Sequence, residues 1–309
     1  MIVIKNLDNY ISKQKSILTI GTFDGIHIGH QEIIKALVKE SISKNYIANI
    51  LTFFPHPRMI LNKDSEIKLI DTLKEKERIF NKLRVNTLII HPFSKEFSRM
   101  TALEFTRDVL VKKLNVSKII LGYDHRFGRN RESNVEDLIE LGIAYNFKVQ
   151  VIDALKIKSI TISSTKIRNA IKNGDITTAN LYLGRSFEIN GNIIHGEGVG
   201  RKIGFPTVNI NIDEKYKLIP SNGVYLVKLK TNNKLHYGMM NIGNRPTLNG
   251  KNRTLEINIF NFKKDLYGKN ISVFFLRKIR DEIKFDSIKK LSDQLKKDKK
   301  RCEIIINKF

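Results

Sequence analysis

Residues Ile17–His30, ILTIGTFDGIHIGH, run from an apolar stretch through a glycine-punctuated loop to the start of a helical pattern. Ile17–Ile20 reads as a buried strand and Gln31–Ser43 as a helix. Glycines between them allow tight turns and close backbone approach to a ligand. A helix opening directly from such a loop offers unpaired N–H groups and the positive end of its dipole to an anion. The same grammar repeats downstream. Ile47–Phe53, Leu88–Ile90, Ile119–Leu121 and Val149–Ile152 read as buried strands, and Thr72–Leu83, Thr101–Leu114 and Val135–Asn146 as helices. Thr101 and Glu104 have capping-box spacing. This alternation predicts a doubly wound, parallel α/β sheet with right-handed crossovers and its ligand beyond the carboxyl ends of the strands. The loops after Ile20, Phe53, Ile90 and Leu121 would then surround one site.

Beyond this region the pattern changes. A short helix is predicted over Ser163–Asn173, stopped by Gly174, and another over Ile176–Leu183, ending at Gly184. From Arg185 onward, Ser186–Ile194, Gly223–Lys230, Leu235–Ile242, Arg253–Phe262 and Asn270–Leu276 read as strands separated by turns, with no helices between them. A small antiparallel β-barrel closed by a helix over Ser287–Arg301 is expected. The predicted domains are 1–184 and 185–309.

The 309 residues suffice for two cores, and 41% hydrophobic with 28% charged residues fits a globular chain. No apolar run is long enough for a membrane span, and the N-terminus lacks the pattern of a secretory signal. Cys302 is the only cysteine, which excludes an intramolecular disulfide and a multi-cysteine metal site. A cytoplasmic protein without a membrane partner is expected, as a monomer or weak homo-oligomer. The net charge of +24 raises nucleic-acid binding as a rival function. However, the charge is spread along a chain rich in Lys, Ile and Asn, and a basic surface equally suits small polyanions such as ATP. No nucleic-acid partner is expected.

Two residue groups carry the chemistry of the first domain. His27 and His30, at the mouth of the first helix, are placed to donate hydrogen bonds to a pentavalent phosphorus centre. Gly21, Phe23, Asp24 and Gly25 are the accompanying candidate ATP contacts. A His-x-x-His pair is also half a metal site, but no matching third ligand is apparent. In Ser163-Ser164-Thr165-Lys166-Ile167-Arg168, hydroxyls and a guanidinium gather at a second helix N-terminus. Alone this is ordinary capping; beside the first motif it reads as a triphosphate clamp.

The second domain holds Gly196-Glu197-Gly198-Val199-Gly200-Arg201-Lys202-Ile203-Gly204-Phe205-Pro206-Thr207-Val208-Asn209. Such a glycine-rich basic loop can fold its N–H groups over phosphates, yet it lacks the Gly-Lys-Ser/Thr ending of a P-loop. Thr207 and Asn209 are two apart, hence on one side of an extended segment, and both offer hard oxygens suited to Mg²⁺. In Thr254–Ile259, Leu255, Ile257 and Ile259 share one face, so Glu256 points to the other. A strand glutamate is commonly solvated, but beside a metal-bound γ-phosphate it would serve as a general base.

Gly21–His30 together with Ile162–Arg168 resembles the HxGH and SSTxIR-type signatures of the nucleotidyltransferase superfamily. In detail the chain is similar to bacterial bifunctional riboflavin kinase/FAD synthetases. Phe53–Pro57 (FFPHP) and Gly122–Gly128 (GYDHRFG) support the likeness, as do Gly204–Asn209, Pro220–Tyr225, Gly238–Thr247, Glu256 with Asp265–Gly268, and Phe275–Phe285. The family pattern usually has glycine where Ser133 stands. The resemblance implies a Rossmann-like nucleotidyltransferase domain followed by a six-stranded riboflavin kinase barrel. It implies that His27 and His30 contact the ATP phosphates, completed by Ser164, Thr165 and Arg168, with Pro55, Pro57 and Asp124 on the flavin side. For the kinase it implies ATP contacts at Gly196, Gly198, Lys202, Gly204 and Pro206, and Mg²⁺-ATP ligands in Thr207 and Asn209. Glu256 is implied as the base toward the riboflavin 5′-hydroxyl, and Arg277, Glu282 and Phe285 as residues flanking the flavin. ATP, riboflavin and FMN are the implied substrates. A nucleotidyltransferase with a merely flavin-binding accessory domain is the enzymatic rival.

Overall fold

The computed structural model describes residues 1–61, 67–123, 126–129, 132–157, 159–195, 199–231, 234–247, 250–262 and 266–308. They fall into two compact units, Met1–Ser164 and Thr165–Phe309.

In the first unit, β1 (Ile2–Ile4), β2 (Ser16–Ile20), β3 (Ile47–Phe53), β4 (Thr87–His91), β5 (Val116–Gly122) and β6 (Lys148–Ile152) form a parallel sheet ordered β1-β4-β3-β2-β5-β6. α1 (Ile28–Lys44), α2 (Pro57–Leu61), α3 (Leu73–Lys82), α4 (Lys95–Ser98), α5 (Ala102–Glu104) and α6 (Val135–Ala144) lie between the strands in sequence. A hairpin of β7 (Lys156–Ile157) and β8 (Ile160–Thr161) follows. Every residue of β2 and β4 is buried, as a sheet covered on both faces requires. Neighbouring residues feed opposite cores. Leu18, Leu51, Ile89 and Leu121 pack with Phe105 and Leu110, while Ile17, Ile50, Leu88 and Ile120 pack with Ile34, Leu37 and Phe80. Burying each such side chain stabilises the fold by roughly 1.5–3 kcal/mol. The strand order turns around between β2 and β5, so the loops after these two strands flank a topological switch point.

The predicted strands and helices are present, and β1, α2, α4 and the β7–β8 hairpin are additional. β1 is too short for periodicity to reveal, and it joins the sheet by pairing with β4. The helix expected over Thr101–Leu114 begins with the predicted capping box at α5, then continues as a π-helical stretch, Phe105–Lys113. There the Leu114 N–H reaches the carbonyl of Val109.

In the second unit, α7 (Ser164–Lys172, beginning at the last residue of the first unit) and α8 (Ile176–Leu183) precede the strands. β9 (Glu188–Ile194), β10 (Val208–Asn211), β11 (Gly223–Thr231), β12 (Lys234–Thr247), β13 (Gly250–Ile259) and β14 (Asn270–Arg280) close an antiparallel barrel ordered β10-β13-β12-β11-β14-β9. Tyr225, Phe187 and Phe275 are fully buried and meet ring to ring, with centroids 5.4–5.6 Å apart. Asn180 of α8 fastens this helix to the barrel, donating to the Phe275 carbonyl at 2.9 Å and accepting the Phe187 N–H at 2.6 Å. The compact units therefore part after Ser164, whereas the sequence grammar changes at residue 184.

One expectation is corrected. A one-turn helix, α9 (Val199–Lys202), interrupts the strands where none was expected. Gly200 makes it possible: the Phe205 N–H bonds back to the Gly200 carbonyl at 2.9 Å, and a Cβ on Gly200 would stand 2.3 Å from the Phe205 oxygen. The glycine that signals a turn thus permits a helical turn to fold back on its own exit. After β14, α10 (Ile288–Ile306) supplies Leu295, Cys302, Ile305 and Ile306 to a second core with Phe205, Val224, Leu226, Met239 and Ile279.

Candidate active sites

The loop between β2 and α1 is built around His27. This residue caps α1, its Nδ1 accepting the His30 N–H at 3.3 Å. An accepting Nδ1 puts the proton of a neutral imidazole on Nε2. The His30 ring stacks on it at 3.6 Å, with 16° between the planes. Burial, then the neighbouring His27 and Lys76, hold the His30 imidazole well below its ordinary pKa, so it is neutral near pH 7. Its Nδ1 is shielded from solvent and has no hydrogen-bond partner among the described residues. Phe23, held at φ 46°, supports His30 edge-on at 5.2 Å and rests on Phe80 at 5.7 Å. Gly25 takes φ 90°, a backbone conformation suited to glycine.

The other expected residues of this site have varied settings. The Asp24 carboxylate is buried and accepts the Ile70 N–H at 2.8 Å, while its carbonyl accepts from Ser164 Oγ at 2.8 Å. Ser164 is thereby tied to the histidine loop. Thr165 and Arg168 lie on α7 in the second unit, Arg168 buried. Pro55 and Pro57 follow β3, and Pro57 opens α2, where the missing N–H of proline costs least. Asp124 lies outside the described residues. Ser133 pairs with Phe127 in an antiparallel bridge, with N–H to O distances of 3.0 and 3.3 Å. This extended arrangement needs no glycine. Lys76 of α3 was not anticipated; its ammonium donates to the Thr22 carbonyl at 2.7 Å.

On the barrel, the strand registers bring a second set together. Asn209 of β10 stands directly opposite Glu256 of β13, which stands opposite Asn241 of β12. Directly paired residues share a sheet face. Thr207, Asn241, Glu256 and Asn258 line a cavity of about 410 Å³ with Phe205 and Arg280. Glu256 thus faces away from the buried Ile257, as the alternation predicts. Asn258 donates to the Pro206 carbonyl at 2.8 Å and fixes the chain just before Thr207. Gly204 takes φ 80°. Glu282 and Phe285 reach the cavity, whereas Arg277 is exposed and does not line it. Arg280 does, held by Asp298 at 2.9 Å with Phe285 over its guanidinium at 5.8 Å. Gly196 and Gly198 lie outside the described residues; Lys202 belongs to α9, and its side chain is not described. Asn258 was legible, being two residues from Glu256 on an alternating strand. Asn241 was not, because only the register places it there.

A histidine-capped helix at the switch point of a parallel sheet, and a barrel cavity with a carboxylate beside paired oxygen donors, define a two-domain nucleotide-using transferase. Residues 10–166 match the FAD synthetase family and residues 183–306 the riboflavin kinase family. The bifunctional riboflavin kinase/FMN adenylyltransferase of Buchnera aphidicola subsp. Schizaphis graminum is 39% identical over 92% of this chain and 91% of its own length. Those of Bacillus subtilis (34%, over 93% and 92%) and Escherichia coli K12 (35%, over 91% and 90%) are also similar. The chain belongs to the bifunctional riboflavin kinase/FMN adenylyltransferase family: it phosphorylates riboflavin to FMN and adenylylates FMN to FAD. A solved structure described as a macrolide-efflux protein from Streptococcus pneumoniae shares the fold, with 32% identity, a TM-score of 0.90 and 98% of each chain covered. In the present chain no helix among the described residues is long and apolar enough to cross a membrane.

Proposed function

We propose that the two reactions use two separate sets of residues, with functional domains 1–184 and 185–309. The observation that carries this reading is the direct pairing of Asn209 with Glu256 beside a cavity that also takes in Thr207. Glu256 accepts the proton of the riboflavin 5′-hydroxyl as the hydroxyl oxygen attacks the γ-phosphorus of ATP and ADP leaves. Thr207 and Asn209 offer hard oxygens and would hold Mg²⁺. When bound, the ion offsets charge on the phosphates. Gly196, Gly198, Lys202, Gly204 and Pro206 contact ATP, and Glu282 and Phe285 the flavin, joined from the cavity wall by Arg280 rather than by Arg277, which does not line it.

In the first domain, His27 and His30 donate to the phosphates of a second ATP while an FMN phosphate oxygen attacks the α-phosphorus and pyrophosphate leaves. The fixed tautomer of His27 and the neutrality of His30 support this role. Gly21, Phe23, Asp24, Gly25, Ser164, Thr165 and Arg168 form the rest of the ATP cradle, and Pro55, Pro57 and Asp124 the flavin side. Positioning and charge stabilisation suffice, because no covalent enzyme intermediate is required. We further propose a cytoplasmic monomer or weak homo-oligomer whose basic surface serves polyanionic small substrates, not nucleic acid.

Chromatography of flavins after incubation with MgATP tests the assignment. Glu256→Gln is expected to abolish FMN formation from riboflavin and to spare FAD formation from added FMN. Undiminished kinase activity in that variant would refute Glu256 as the base.

A further inference from the structure

Lys76 lies in the first turn of α3, immediately after the capping box of Thr72 and Glu75. It is 3% exposed, an unusual place for an ammonium group unless something there uses it. Its Nζ donates to the Thr22 carbonyl at 2.7 Å, and Thr52 Oγ1 reaches the same oxygen at 3.4 Å. Thr22 opens the loop that carries both histidines. Burial lowers the pKa of the ammonium, and two buried carboxylates, Asp24 and Asp71, counter that and favour its charge. Asp24 belongs to the same loop and accepts the Ile70 N–H, so the loop is pinned on both sides of Phe23.

We propose that Lys76 is a positioning residue for adenylyl transfer: its buried ammonium, tied to the Thr22 carbonyl, fixes the backbone from which His27 and His30 project. This rests on the assignment of the two histidines to that reaction. A capping box sets the start of α3, α3 sets the ammonium, and the ammonium sets the loop. Thr22 to His27 is a short segment with little secondary structure before α1, so an anchor at its start decides where the imidazoles stand. A second effect follows from charge. Besides burial, His27 and Lys76 act on His30, and Asp24 and Asp71 act on Lys76. A fixed cation near His30 disfavours a second positive charge on its imidazole, keeping it a neutral hydrogen-bonding group at lower pH.

Lys76→Met in the full chain, assayed for FAD formation from FMN and MgATP, tests this. Rates are normalised to the fraction folded by circular dichroism. The expected result is a loss of roughly 100-fold in kcat with KM for ATP little changed, the size of effect that ångström misplacement of reacting groups brings. The acid limb of the kcat profile should also move to higher pH, because removing the cation makes His30 easier to protonate. Lys76→Arg restores the charge and should recover part of kcat and the original acid limb. Met and wild type with equal normalised kcat and pH profiles would overturn the proposal, as a purely structural lysine would behave that way. Arg no better than Met would do so as well. His30→Ala, assayed in parallel, separates the two layers: undiminished FAD formation there would sink the histidine assignment itself, and the proposal with it.

Discussion

Gly29 leaves little room for a side chain. A Cβ at this position would stand 3.3 Å from both Cε1 and Nδ1 of His27, and that Nδ1 is the atom holding the α1 cap. Gly29→Ala is expected to tilt the imidazole and lower FAD formation by about 10- to 100-fold, with riboflavin phosphorylation unchanged; steady-state assays of both activities check it. The depressed pKa of His30 gives a second expectation. Its lowering, from burial first, means the ring gains a proton only below the ordinary imidazole range. FAD formation should therefore persist as pH falls through 6.5, the ordinary value for a histidine side chain, and decline only at lower pH. A decline centred at 6.5 in the pH–kcat profile would contradict it. At the other end of the chain, burial, then Asp298 and Glu303, push the Cys302 thiol up to about 12. It should resist thiol reagents at pH 8 in the folded protein and react once the chain is unfolded. The histidine motif could be read from sequence because its parts are local. Lys76 could not, since its bond to Thr22 spans 54 residues and no pattern in α3 announces it.

Helix α10 is held to the barrel by more than apolar contact. Asp298, with its side chain 3% exposed, accepts from Arg280 Nε at 2.9 Å and from Gln294 Nε2 at 2.8 Å. Arg301 donates to the Ile279 carbonyl at 2.8 Å. Removing one partner of a buried ion pair strands the other charge, so Asp298→Ala should destabilise the barrel unit by roughly 3–5 kcal/mol. Denaturant unfolding checks the value. Because Arg280 also lines the cavity, the same variant should weaken riboflavin phosphorylation more than FAD formation. The sequence showed where most elements stand, since alternation and helical period repeat within each. It did not show that Phe105–Lys113 winds as a π-helix, because that choice depends on backbone bonding and not on which residues are apolar. β10 was legible only as an extended segment; its place in the barrel comes from pairing with β9 and β13. α9 was hidden by the glycines that make it possible.

Two compact units, each with its own core, explain how one chain performs two transfers from ATP. In the proposed division, the first domain directs chemistry at the middle of the triphosphate and the second at its end. Order of motifs made the pairing of activities legible in the sequence. The extent of each unit was less so, because α7 and α8 read as a continuation of the α/β pattern while Asn180 bonds α8 to β14 and to Phe187. Isotope transfer tests the division most directly. Wild type and His30→Ala are given riboflavin with MgATP labelled at either the α- or the γ-phosphorus, and the flavins are separated. In both proteins γ-label should enter FMN, and in wild type alone α-label should enter FAD. If a folded His30→Ala protein still passes α-label into FAD, or loses γ-label transfer together with it, the account of two separately built sites is contradicted.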